Sequence, residues 1–226
     1  MEYKEIIQQL KSLSDPTAVA GMQRFGIQTK NTYGVSIPQL RKMAKQIGRN
    51  HTLAQRLWAS GIHEARILAS MLDDPKVVTE EQMERWVKAF DSWDVCDQCC
   101  SNLFDKTRWA YRKAVQWSER NEEFIKRAGF VLMAALAVHD KEMNDREFVK
   151  FFSIIRREAT DDRNFVKKAV NWALRQIGKR NLNLNGMAIK AAKEIREIDS
   201  KAAEWIASDA LRELTSQAIQ VKLGKQ

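Results

Sequence analysis

An all-helical fold built from stacked helix pairs is predicted by three observations. Apolar residues recur at helical spacing almost throughout the 226 residues, as in Ile6, Leu10, Leu13 or Met83, Trp86, Val87, Phe90, and strand-like alternation is absent. Only nine Gly and three Pro are present, too few for the frequent turns of a sandwich or barrel. A motif also repeats: Phe124-Ile125-Lys126-Arg127-Ala128 matches Phe165-Val166-Lys167-Lys168-Ala169 at an offset of 41.

The repeat sharpens the class. Beyond the motif Met133 pairs with Leu174 and Leu136 with Ile177, and Ala65 and Cys96 extend the register upstream in steps of about 30 residues. Periods of this size with two helices per unit indicate a HEAT-like α-solenoid, an array of antiparallel helix pairs with a curved, concave groove. The small residue at each register point (Ala65, Cys96, Ala128, Ala169) lets neighbouring helices approach closely.

Taken in order, Met1 to Leu13 reads as a charged amphipathic helix with no apolar leader core. Breaks follow at Ser14-Asp15-Pro16, 33–38, 48–51, Asp73-Asp74-Pro75, His139-Asp140-Lys141 and 179–186. They delimit about ten to twelve short helices. Thr79-Glu80-Glu81-Gln82 has the form of a capping box opening the helix that precedes Asp91. With no low-complexity linker, residues 1–226 are expected to form a single domain. The longest apolar run, Ala128 to Val138, is about half of what a membrane span needs, so the protein is expected to be soluble and cytoplasmic.

Charge is unevenly spread. The formal net charge is +9, yet residues 73–105 hold three Lys/Arg against nine Asp/Glu, between basic segments 1–72 (ten against four) and 106–190 (nineteen against ten). Basic flanks are the electrostatic footprint of a nucleic-acid binder. Inside the acidic island lies Asp91-Ser92-Trp93-Asp94-Val95-Cys96-Asp97-Gln98-Cys99-Cys100. On a helix Trp93 and Asp97 share a face, whereas Asp94 points about 100° away. Asp91 reads as an N-cap. The three cysteines are adjacent and odd in number, which fits buried thiols in a reducing compartment. His51, His63 and His139 are scattered, so no metal set is completed. Trp58, Trp86, Trp109, Trp117 and Trp205 sit among apolar helix positions and read as packing.

In the shared register, Trp93/Asp97, Arg127 and Lys168/Trp172 fall on equivalent helices. At these residues the chain resembles the DNA alkylation repair family of HEAT-like DNA glycosylases, the AlkD-like proteins. The matching pieces are the Trp-x-x-x-Asp of Trp93 and Asp97, Lys126-Arg127-Ala128, and Lys168 to Trp172 continuing to Arg175. Gly34 to Arg41 is similar to the family's Gly-(Ile/Val)-x-x-Pro-x-x-Arg turn, and Ala210-Leu211-Arg212-Glu213 to its last repeat.

The resemblance implies hydrolysis of the N-glycosidic bond of cationic N3- or N7-alkylated purines in double-stranded DNA, by a monomer needing no cofactor, metal or base-specific pocket. Carried over, Asp97 is the catalytic carboxylate, Trp93 and Trp172 contact the lesion's sugar and backbone, and Arg127 holds the DNA. Lys126, Lys167, Lys168, Arg175 and Lys179 are expected to face phosphates by charge density. The competing class is a catalytically silent HEAT-like module that binds nucleic acid or protein. Against a silent DNA binder stands Asp97, because a carboxylate facing phosphates costs affinity unless it acts.

Overall fold

The computed structural model describes residues 1–224, and among these every regular element is helical: fourteen α-helices and two short 3₁₀ turns. Two units are compact, Met1–Arg108 and a second from Trp109 onward, where the sequence reads as one body.

The first unit comprises α1 (Tyr3–Ser12), α2 (Pro16–Arg24), α3 (Ile37–Ile47), α4 (His51–Ala59), α5 (His63–Leu72), α6 (Glu80–Lys88), α7 (Trp93–Asn102) and the 3₁₀ turn Phe104–Lys106. Helix α5 is its axis, packed against α3, α4 and α7 with nine of its ten residues buried. Burying Glu64 and Arg66 requires partners, because an unpaired charge in a low-dielectric interior is prohibitively unfavourable. Glu64 accepts hydrogen bonds from the backbone N–H groups of Tyr33 (3.0 Å), Gly34 (2.6 Å) and Val35 (3.3 Å). Arg66 pairs with Asp91 at 2.8 Å, donates to the Ala89 carbonyl and lies 4.8 Å from the Trp58 ring centre. Trp58 in turn stacks on Trp86, with centroids 4.0 Å apart and planes within 1°.

Helix α6 starts as expected at Thr79, whose hydroxyl accepts from the Gln82 N–H at 3.2 Å. The reciprocal half of the capping box is missing. The Gln82 amide instead donates to the buried Asp73 carboxylate at 2.6 Å, which also has His51 Nδ1 at 2.7 Å. A buried carboxylate needs donors more than an exposed helix end does. Reciprocal boxes form at Glu2/Glu5 and Ser36/Gln39.

The second unit comprises α8 (Ala110–Ser118), α9 (Glu123–His139), α10 (Asp145–Arg157), the 3₁₀ turn Glu158–Thr160, α11 (Asn164–Gly178), α12 (Leu182–Arg196), α13 (Lys201–Leu214) and α14 (Gln217–Leu223). Helix α9 is its centre, packed between α8 and α11. The 41-residue register is real: α9 and α11 begin at 123 and 164, and Ala128/Ala169 and Met133/Leu174 are all fully buried. Small residues set the helix spacing, as at Gly129, where a Cβ would come within 2.4 Å of the Ser118 nitrogen on α8. Arg180 closes the far end of α9, donating to the carbonyls of Ala137 (3.0 Å), Asp140 (2.6 Å) and Met143 (3.2 Å). These carbonyls lie at and just beyond the helix C-terminus, where a cation also complements the helix dipole.

The fourteen helices exceed the ten to twelve expected, and α9 is not short. No described helix is long and apolar enough to cross a membrane.

Candidate functional site

Helix α7 sorts the acidic island into two faces. Val95, Cys96, Cys99 and Cys100 point inward and are buried, while Trp93, Asp94, Asp97 and Gln98 are half-exposed. Trp93 and Asp97 stand one helical turn apart on the open side, as the i, i+4 spacing requires. The Trp93 indole is fixed from outside its helix: its Nε1–H donates to the Phe25 carbonyl at 3.0 Å. Burial pushes the Cys99 and Cys100 thiols well above their ordinary range, so neither is a nucleophile. Among the described residues no three His, Cys, Asp or Glu side chains are grouped to hold a metal ion.

Asp94 is engaged elsewhere. Its Oδ2 lies 2.8 Å from Nε2 of the buried His63, Ser92 donates to Oδ1, and the Val95 N–H donates to the same oxygen at 2.9 Å. Burial alone would raise this carboxyl. The hydrogen bond and charge of His63, with Ser92 and Val95, outweigh burial and hold it below the usual aspartate value. A folded pKa below the unfolded one stabilises the fold above about pH 4, and that stabilisation disappears as pH falls through the folded value. Asp94→Asn is therefore expected to melt below wild type at pH 7, with the gap in Tm closing below about pH 4. A gap independent of pH would remove the charge of Asp94 from the account.

Asp91 is not the N-cap. Ser92 occupies that position, and Asp91 is drawn off by Arg66, an ion pair spanning 25 residues that local spacing does not reveal. In the sequence His63 reads as one of three scattered histidines, whereas in the fold it is the partner of Asp94. The signal that could have found it is its place 31 residues before Asp94, one step of the upstream repeat.

The cations of the second unit have unequal surroundings. Lys126 is buried, 2.5 Å from Glu158 and 3.5 Å from Asp161, so its charge meets carboxylates inside the fold. Burial would raise the Glu158 carboxyl, but Lys126 and Arg157 hold it below its ordinary range. Arg127 is buried too, its Nη1 donating to the Phe165 carbonyl in the first turn of α11 at 2.5 Å. Arg175 and Lys179 reach across to Glu213 on α13, Lys179 at 2.7 Å. The Lys167 ammonium lies 5.1 Å from the centre of the Trp205 ring. Trp205 is 39% exposed, so it is a surface residue rather than the packing residue expected. Lys168 is exposed, one turn before the half-exposed Trp172 on α11.

The site residues thus divide between the units: Trp93 and Asp97 in the first, Lys126, Arg127, Lys167, Lys168, Trp172, Arg175 and Lys179 in the second.

The chain is 22% identical over 200 residues to an uncharacterised protein of Listeria innocua, and 21% identical over 200 residues to one of Listeria monocytogenes, each match covering 87% of both chains. Among solved structures it is similar, at a TM-score of 0.79 and 21% identity over 94% of this chain and 95% of the other, to a protein of a new family related to the HEAT-like repeat DNA glycosylases with affinity for branched DNA structures. That likeness shows a HEAT-like repeat fold. The family model described as DNA alkylation repair enzyme matches residues 6–214, nearly the whole chain, and the protein belongs to that family.

Proposed function

We propose that the protein is a DNA glycosylase that releases cationic N3- or N7-alkylated purines from double-stranded DNA, with Asp97 as its catalytic carboxylate. The observation that carries this reading is the pairing on α7 of the Trp93 indole, fixed by the Phe25 carbonyl, with the half-exposed Asp97 carboxylate one helical turn later. An alkylated purine is a positively charged leaving group, and as its bond to C1′ lengthens, positive charge moves onto the sugar. A carboxylate beside that sugar stabilises the charge and orients the attacking water. The electron-rich indole face of Trp93 adds attraction for the same cation. Trp172 has the corresponding duty in the second unit. No cofactor is needed, because the lesion supplies its own activation. Release of 7-methylguanine or 3-methyladenine from alkylated duplex DNA is the test, and no release across several such lesions would overturn the reading.

The phosphate contacts divide by environment. Lys168, exposed beside Trp172, is assigned a direct phosphate contact, and Lys167, Arg175 and Lys179 support the same surface from their places against Trp205 and Glu213. Arg127 and Lys126 act from inside, holding the 3₁₀ turn and the start of α11 to α9. Two substitutions separate these roles. Lys168→Gln is expected to leave Tm unchanged while reducing the slope of log affinity against log salt by about one. Lys126→Gln is expected to lower stability by about 1.5–3 kcal/mol, the worth of a hydrogen bond to a charged group, since Glu158 and Asp161 lose the buried ammonium but keep Arg157 and Arg163. If Lys168→Gln binds DNA with the wild-type salt dependence, Lys168 is not a phosphate contact.

A second reading, a binding module without catalysis, is favoured by one observation: the solved relative is distinguished by affinity for branched DNA. Binding without base release by the wild-type protein would select it.

A further inference from the structure

Phe25 is the most exposed large hydrophobic side chain among the described residues, at 71%. A single exposed apolar residue ordinarily means nothing. Three features set this one apart.

Its backbone is held by the candidate site, because the Trp93 indole N–H donates to the Phe25 carbonyl at 3.0 Å. Its direction is fixed by the end of α2: Gly26 takes φ +73°, its N–H bonds to the Gln23 carbonyl at 3.0 Å, and the Ile27 N–H bonds to the Met22 carbonyl at 3.3 Å. That pair of bonds is a Schellman stop, and it leaves Phe25 on the last helical turn. Finally, the strap that follows is tied down along its length. The Asn31 carbonyl accepts from the His63 N–H at 3.0 Å, the Tyr33 carbonyl from the Asp15 N–H at 2.7 Å, and the three N–H groups of Tyr33 to Val35 end on Glu64. Gly34, at φ +82°, fits only because it lacks a Cβ, which would come within 2.4 Å of the Asp15 carbonyl.

A fold that ties down the strap at Trp93, His63 and Glu64 holds the end of α2 in place with the Phe25 ring exposed. Arg24 and Lys30, both exposed, flank it on the same segment. An exposed aromatic face on a segment that also carries cations matches a nucleobase and the phosphates beside it. We infer that Phe25 is a base-stacking residue of the DNA-binding surface, engaging an unpaired or unstacked base next to Trp93. This rests on the DNA-binding reading above and extends it, because a stacking residue needs a base outside the regular duplex. Within an intact helix every base face is already covered.

The test compares two labelled DNAs by fluorescence anisotropy: an unbroken duplex, and the same duplex carrying one unpaired base. The full chain is used throughout, with Tm measured to show that each variant is folded. Phe25→Ala is expected to weaken binding to the DNA with the unpaired base by about tenfold, with less than a twofold change on the unbroken duplex. Phe25→Trp keeps the aromatic face and should restore binding, whereas Phe25→Leu keeps the bulk without the face and should not. Equal losses on both DNAs, no loss on either, or full rescue by Leu would each overturn the inference. If the wild-type protein binds neither DNA, the DNA-binding reading itself falls. If it binds both and the Phe25 variants match it, only the role of Phe25 falls.

Discussion

Asp97→Asn is expected to lower the rate of base release from alkylated duplex DNA roughly 100- to 1000-fold, the usual effect of removing one electrostatic stabiliser from a transition state. The substitution keeps the size and hydrogen-bonding reach of the side chain but removes its charge. The effect should therefore fall on the chemical step and not on DNA affinity. Affinity should not fall, because the substitution removes a negative charge and DNA is a polyanion. Asp94→Asn is the control. That acid already serves His63 and Ser92, so its loss should appear in Tm before it appears in rate. Single-turnover release and filter binding on the same DNA separate the quantities. Equal release by wild type and Asp97→Asn would take Asp97 out of the mechanism.

Much of the architecture was legible in the sequence because it depends on periodicity. The 41-residue match of Phe124–Ala128 with Phe165–Ala169 becomes two helices in the same register, with Phe124 and Phe165 rings 5.7 Å apart. The pairing of Trp93 with Asp97 follows from helical geometry alone. What the sequence concealed was the destination of each charge. Lys126 and Lys167 occupy equivalent positions in the repeat, yet one is buried against Glu158 and the other lies half-exposed against Trp205. That outcome depends on the 3₁₀ turn at Glu158–Thr160 bringing Glu158 against α9, a tertiary fact with no local signature. Asp91 has the composition of an N-cap but meets Arg66 from another helix. Gln82 likewise completes a capping-box pattern in sequence and leaves it for Asp73. In each case a buried group of opposite character outcompeted the local motif, because the cost of stranding it exceeds the value of a cap.

The largest stability change expected from a single methyl group is at Gly129. Ordinarily Gly→Ala inside a helix stabilises by about 1 kcal/mol, through helix propensity and the loss of unfolded-state freedom. At Gly129 the added Cβ would lie 2.4 Å from the Ser118 nitrogen, 2.9 Å from the Ala114 carbonyl oxygen and 2.9 Å from the Ser118 Cα. All three are backbone atoms of α8, so no side-chain rotation relieves the clash and the two helices must separate. Overpacking of this kind costs about 1–3 kcal/mol even where side chains can yield. Against rigid backbone the upper end applies, and it exceeds the propensity gain. Gly129→Ala is therefore expected to destabilise by about 2 kcal/mol net. Gly186, inside α12, has nothing within 4 Å of its would-be Cβ, so Gly186→Ala should stabilise by about 0.5–1 kcal/mol. Urea unfolding of the two variants reads the difference directly. Opposite signs are the expected result. A stabilised Gly129→Ala would mean that α8 and α9 do not meet at this glycine, and the close approach assigned to the small residues of the repeat would have to be abandoned.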